Sequence, residues 1–269
     1  MRTLCNIFLI LLAMVITNPC YSQMHLDTIT TSSKITQREL NICDTTCTVD
    51  KKFNAKQLIL PGAMMVSGLI GVIDHNNNLN KSVRDAMTGL SNGKQCKIDD
   101  YLRFLPSASH LLIGSLGVKS RHNFKERFLI SATAHASMLI LGYGTKYAIH
   151  EERPDLSNKH SFPSGHVAMA FTGAELLRME YGTAYGIAGY AVATSVAFLR
   201  LYNNKHWLND VIMGAGIGIL SARIGYWLLP FERKLFKINK NNNSTSSIAI
   251  TPAYNSIDKA YMMTLHAVF

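Results

Sequence analysis

The sequence predicts an all-α protein, a multi-helix transmembrane bundle that ends in a short C-terminal β-hairpin. Three observations carry that expectation. Of 269 residues, 48% are hydrophobic and only 16% are charged, against about 25% charged in an ordinary soluble domain. Uncharged or nearly uncharged apolar runs recur at 57–73, 128–147, 184–202 and 211–229, close to the length that spans a bilayer. Small residues crowd the last two runs ("GIAGYAVATS", "GAGIGILSA"), as close helix contacts in lipid favour. The competing architecture is a compact soluble helical bundle, because mean hydropathy is only slightly positive.

The elements follow in order. Arg2, the apolar stretch Leu4 to Ile16 and the small residues before Gln23 have the layout of a secretory signal peptide over 1–22. Residues 23–55 are polar and without period, an extracytoplasmic arm in which Cys43 and Cys47 can pair in an oxidising compartment. Residues 56–236 form the helical domain. Within it, 57–73 is the first span, 74–104 reads as loop and surface, and 105–118 is apolar but short, a buried or in-plane helix. A basic patch over 119–127 precedes the span 128–147, and 148–164 is a charged loop. The segment 166–179 carries Glu175 and Arg178 and is expected to pack against protein. Two further spans follow, the last closing at Pro230. Residues 237–269 are a linker and tail whose loose apolar–polar alternation predicts the hairpin.

Charge narrows the function. The net charge of +10 suits an anionic membrane surface or a phosphorylated substrate. The low charge density weighs against nucleic acid.

Three clusters carry chemistry. The first runs from Lys146 to Arg153 and Pro154 at the end of one apolar run. The second is Pro163-Ser164-Gly165-His166 at the start of the next. The third runs from Arg200 to His206 and Asp210 between the last two long runs. Antiparallel helices bring all three to one end. Lys146, Arg153 and Arg200 then converge, and three cations in one pocket need an anion, for which arginine offers paired planar donors. The Ser164–Gly165 turn adds free N–H groups at a helix start. His206 and Asp210, four apart, share a helix face. That is the arrangement of an oriented, activated histidine nucleophile. His166 is the candidate general acid. The scheme requires no metal and no cofactor. His160 and His150 are rim candidates, and His135 inside an apolar run reads as a satisfied core residue.

The clusters resemble the signature of the type 2 phosphatidic acid phosphatase superfamily: Lys-x6-Arg-Pro, Pro-Ser-Gly-His and Ser-Arg-x5-His-x3-Asp. One position departs from it, Leu199 standing where the pattern has Ser. The resemblance covers roughly residues 56–230. It implies an all-helical fold, a phosphohistidine intermediate without metal, His206 as nucleophile, Asp210 as its partner and His166 as acid. It places Lys146, Arg153, Ser164, Gly165 and Arg200 around the phosphoryl group. The expected substrate is a phosphorylated membrane lipid: a lipid A phosphate, undecaprenyl diphosphate, phosphatidylglycerol phosphate or phosphatidic acid. A soluble periplasmic acid phosphatase and a non-catalytic lipid-binding membrane protein are the alternatives.

The expected location is the inner membrane of a bacterial envelope, with the site facing the periplasm. That topology puts 74–127 on the cytoplasmic side and requires that 105–118 not cross. A crossing there turns the site to the cytoplasm, unless the N-terminal segment stays as an anchor.

Overall fold

Helix replaces the apolar runs almost residue for residue. The computed structural model describes residues 53–73, 78–237, 247–255 and 260–268. These belong to the second of two units, 49–269; the first, 1–48, lies outside the described residues. The expected signal peptide, the Cys43–Cys47 pair and most of the polar arm therefore also lie outside them.

A 3-10 turn, Ala55–Leu58, leads into α1 (Ile59–Ile73). Then come α2 (Asn78–Ser91), the single turn α3 (Asp99–Leu102), and α4 (Leu105–Leu112) with its 3-10 continuation Ile113–Leu116. The long helices are α5 (Phe124–Ala148), α6 (Gly165–Tyr181), α7 (Thr183–Tyr202) and α8 (Leu208–Leu235). A two-stranded antiparallel hairpin closes the chain: β1 (Ser247–Asn255) pairs with β2 (Ala260–Val268), Thr251 opposite Thr264. The expected hairpin is thus present.

Four helices, Ala55–Ile73, Phe124–Ala148, Thr183–Tyr202 and Leu208–Leu235, are long and apolar enough to cross a membrane. The chain is an integral membrane bundle. Its centre is α6, packed against α7, α8 and α4, with Val167, Ala170, Ala174 and Leu176 fully buried. The approach of α8 to α6 depends on glycine. A Cβ at Gly214 would lie 2.6 Å from the Ser164 carbonyl oxygen, and one at Gly218 would lie 2.5 Å from that of Ala168. The α6–α7 turn uses Gly182 at φ +96, a backbone state that favours glycine.

The charges inside α6 are paired, as the sequence demanded. Glu175 is fully buried and accepts from Arg178 (2.6 Å), Tyr190 (2.7 Å) and Arg223 (2.9 Å). Glu180 accepts from the backbone N–H of His122 (2.7 Å) and from the Tyr226 hydroxyl (2.8 Å). A buried charge persists only with such partners.

Three expectations change. The stretch 74–104 is not all loop: α2 forms on a stripe of Leu79, Val83, Met87 and Leu90, spaced three or four apart, which the intervening polar residues hide. The last helix does not close at Pro230 but runs through it to Leu235. Proline removes one backbone donor, a loss that a long packed helix tolerates.

The third correction bears on topology. The segment after α3 is not in-plane. Asp99 pairs with Arg200 at the C-terminal end of α7, whereas the Gly114 N–H donates to Tyr181 at the C-terminal end of α6 and His122 meets Glu180. In between, Ser107 packs against Gly173. Residues 103–122 therefore run beside α6 from its N-terminal to its C-terminal end, the helical part 105–116 alone rising about 20 Å. Residues 78–104 and 117–123 sit at opposite ends, so they do not share one side as the sequence reading required. Residues 53–58 lie at the far end too, where the Arg223 side chain bonds the Gln57 carbonyl and the Trp227 indole donates to the Gln57 side chain at 3.2 Å.

Candidate active site

The alternation of helix directions gathers four helix ends: the C-termini of α5 and α7 and the N-termini of α6 and α8. All eight residues singled out in the sequence lie there. Ser164 is the N-cap of α6, with extended backbone at φ -73. Its N–H donates to the Asp210 carbonyl at 3.1 Å, which ties the start of α6 to the start of α8. A Cβ added at Gly165 would meet nothing within 4 Å, so the mouth of α6 is open.

His206 sits in the short turn between α7 and α8 and is 4% exposed. Its Nδ1 meets Asp210 Oδ2 at 3.2 Å. The same carboxylate oxygen accepts the Trp207 N–H at 2.9 Å and a short bond from the Ser161 hydroxyl. Asp210 is therefore fixed by the first turn of its own helix and by the loop before α6. A carboxylate at Nδ1 keeps the proton there and leaves Nε2 with its lone pair. Burial first, then the positive charges of Arg200, Arg153 and Lys146, hold the His206 pKa well below the ordinary histidine range. That direction favours the neutral ring.

The cations are held by backbone and by carboxylates, not by one another. Lys146 Nζ donates to the carbonyls of His160 (2.9 Å) and Pro163 (3.2 Å), bracing the loop that carries the second cluster. Arg200 Nη1 donates to Asp99 at 2.8 Å. Arg153 caps the loop through its backbone, whose N–H reaches the Asn158 carbonyl at 3.0 Å. Three donor atoms in this cluster are buried without a hydrogen-bond partner: Ser164 Oγ, Arg153 Nε and Arg200 Nε. Orphaned buried donors are costly. Three of them from three different segments, two cationic, fit a tetrahedral oxyanion.

His166 does not hydrogen-bond to the His206–Asp210 pair. It turns to α3, its Nε2 2.8 Å from Asp100 Oδ1 and its Nδ1 3.5 Å from Arg103 Nη1. Burial first, and then Arg200, push its pKa down to about 4, against the opposing pull of Asp100.

Asp99, Asp100, Arg103 and Ser161 were not singled out in the sequence, and Asn203 carried no assigned role there. Asn203 clamps the α3 segment: its side chain accepts from the Cys96 N–H (2.8 Å) and donates to the Cys96 carbonyl (2.7 Å) and to Asp99 (3.2 Å). The available signal was two adjacent aspartates in an otherwise basic stretch. Asp99, Asp100 and His166 also bring ligand atoms within 4.8 Å of one another, but Arg200, Asn203 and His166 already occupy both carboxylates. Of the rim residues, Trp207 donates from its indole to the Glu152 carbonyl at 2.8 Å, and His160 serves Lys146 through its carbonyl. His135 is half-buried and not in the core, and it is satisfied by Ser107 (3.0 Å) and the Ser131 carbonyl (2.7 Å).

Residues 130–234 match the family model of the PAP2 superfamily. The matched stretch is similar to a PAP2 domain. It holds all three clusters, while Asp99, Asp100 and Arg103 precede it. A lipid A 1-phosphatase of Porphyromonas gingivalis is 30% identical over 202 residues, covering 70% of this chain and 45% of the relative. The chain thus spans less than half of that relative's length. Two solved structures resemble the bundle. Aquifex aeolicus LpxE matches at a TM-score of 0.41 and 22% identity, over 52% of this chain and 92% of that one. The PAP2-type phosphatidylglycerolphosphate phosphatase of Bacillus subtilis matches at 0.46 and 20%, over 68% and 99%.

Proposed function

We propose that the chain is a metal-independent phosphatase that hydrolyses a membrane lipid phosphate through a phosphohistidine. The observation that carries this reading is the buried His206–Asp210 pair facing orphaned donors of Arg153, Arg200 and Ser164. His206 Nε2 attacks phosphorus as the bond to the leaving oxygen breaks, and His166 gives that oxygen a proton. Water then attacks the phosphohistidine, His166 takes a proton from it, and the P–N bond breaks to release phosphate. The cations stabilise charge on the phosphoryl oxygens, commonly the largest single contribution.

A lipid A-type phosphate is the first substrate to test, supported by the name of the Porphyromonas gingivalis relative. Undecaprenyl diphosphate, phosphatidylglycerol phosphate and phosphatidic acid are the other members of the panel. The apolar helices favour a lipid over the soluble substrates of a periplasmic acid phosphatase. A phosphate-release panel with His206→Ala as control tests the reading. Release from none of these by the intact chain would favour the lipid-binding alternative.

We further propose that the site opens on the periplasmic side. The far end of the bundle then faces the cytoplasm, where Lys56, Lys119, Arg121, Lys125, Arg233, Lys234 and Lys237 flank apolar helices, as the positive-inside rule prefers. This orientation places residues 53–58 on the cytoplasmic side. It is therefore incompatible with a periplasmic arm running straight into α1. Cysteine labelling at 157–159 and at 119–121 from each side of the membrane tests it.

A further inference from the structure

We infer that Asp100 is a positioning residue for His166: it holds the ring by Nε2–H, so that Nδ1 is the atom that gives and takes the catalytic proton. The inference rests on the phosphatase reading above and goes beyond its three sequence clusters, since Asp100 lies in none of them.

The carboxylate decides the tautomer. Asp100 Oδ1 lies 2.8 Å from Nε2, and its pKa is held low, first by that hydrogen bond. An ionised carboxylate can only accept, so Nε2 carries a proton whether the ring is neutral or cationic. The titrating nitrogen is then Nδ1. Among the described residues its polar partner in the resting site is Arg103 Nη1 at 3.5 Å, a pure donor that faces a lone pair. The two contacts agree on one state: a neutral ring, protonated at Nε2, accepting at Nδ1.

The bracket that carries Asp100 is rigid where it matters. Asn203 fixes Cys96 and Asp99, Asp99 fixes Arg200, and Asp100 one residue later fixes His166. Two neighbouring carboxylates on one turn thus set a phosphate-binding arginine and the proton donor in one register. Asp99 is 1% exposed on its side chain whereas that of Asp100 is 49% exposed. The buried one locks geometry, and the exposed one can respond to substrate.

The proton steps follow. The charged groups facing His166 are Asp99, Asp100 and Arg103 from the α3 segment and Arg200 from α7, and the titratable His206 ring faces it from the turn before α8. A bound phosphoryl group offsets Arg200, and the leaving oxygen takes the place of Arg103 at Nδ1. With Arg200 offset, Nδ1 takes up a proton from solvent, and that proton passes to the leaving oxygen as its bond to phosphorus breaks. In the second half Nδ1 takes a proton from the attacking water as the P–N bond to His206 breaks. Throughout, Nε2–H stays on Asp100.

The test uses the full chain in detergent, with Asp100→Asn and Asp100→Glu. Heteronuclear NMR of the ring nitrogens, with His166 assigned through His166→Gln, reads the tautomer without turnover. The intact chain is expected to show the single Nε2–H form, and Asp100→Asn a mixture. On a soluble phosphomonoester, Asp100→Asn is expected to lower kcat roughly 10–100-fold with KM changed less than about threefold. The alkaline limb of its kcat–pH profile is expected to move down by about one unit, and Asp100→Glu to restore it. An unchanged tautomer, or an unchanged alkaline limb, in Asp100→Asn overturns the inference. If the intact chain hydrolyses no phosphate, the phosphatase reading fails while the NMR result still decides the role of Asp100.

Discussion

His206 and Asp210 face each other across the first turn of α8, Nδ1 to Oδ2 at 3.2 Å, with both side chains removed from solvent. The carboxylate also receives the Trp207 N–H, so the turn that begins the helix and the bond that orients the imidazole are one structure. Helix capping and orientation of the imidazole share a single side chain.

Asp210→Asn tests the second of those roles. The amide can still cap through its oxygen, but it can present its NH2 group to the ring and favour the wrong tautomer. A kcat loss of about 10²–10⁴-fold is expected, with a melting temperature near that of the parent. Kinetics and thermal unfolding of the purified protein check it.

Arg200→Lys keeps the charge and removes the fork. Arg200 spends Nη1 on Asp99 and leaves Nε free, and a single ammonium cannot serve both. A fall of roughly 10²–10³-fold in kcat/KM is expected. Lys146→Arg is expected to be damaging for the opposite reason: the ammonium bridges two loop carbonyls, and a planar fork does not fit between them.

Stability should fall with acid. His206 and His166 have folded pKa values below the ordinary 6.5, the latter about 4. The unfolded chain then binds more protons than the folded one below pH 6.5. Their contribution is full above that value and is lost as pH falls from 6.5 towards 4. Melting temperatures between pH 7.5 and 5 should decline by several degrees, and His166→Gln should flatten the decline.

The candidate site was legible because the residues that gather there stand at fixed spacing on helix ends. His206 and Asp210 sit one turn apart, and Ser164, Gly165 and His166 open a helix. The α6 charges were legible as protein-facing because an unpaired Glu175 cannot sit in lipid. The α3 bracket was not legible. Asp99 and Asp100 reach Arg200 and His166 across about a hundred and about sixty-six positions of chain, and no local period encodes that. The course of 103–122 escaped for another reason. An interrupted helix half buried by protein needs fewer apolar residues than one wrapped in lipid, so length misjudged it. Pro230 misled because a helix supported by neighbours outlasts a missing donor.

Close packing of α8 on α6 is a condition for the site. Gly218→Ala places a Cβ 2.5 Å from the Ala168 carbonyl oxygen, and overpacking of this kind costs about 1–3 kcal/mol. Because Gly214 meets Ser164 in the same way, Gly214→Ala should displace the N-cap and reduce activity more than stability. Thermal unfolding beside turnover separates the two effects.

Vanadate, a phosphate mimic that adopts five-coordination, should inhibit at low concentration, and activity should survive EDTA. Loss of activity on chelation, restored by a divalent ion, would instead point to the Asp99–Asp100–His166 group as a metal site.

The most direct measurement is to trap the covalent enzyme. The intact chain, mixed with lipid substrate labelled in its phosphate and quenched in alkali, should carry an alkali-stable, acid-labile label. His206→Ala should carry none and release no phosphate. Turnover by His206→Ala comparable with the intact chain, or label that persists in it, would contradict His206 as the nucleophile.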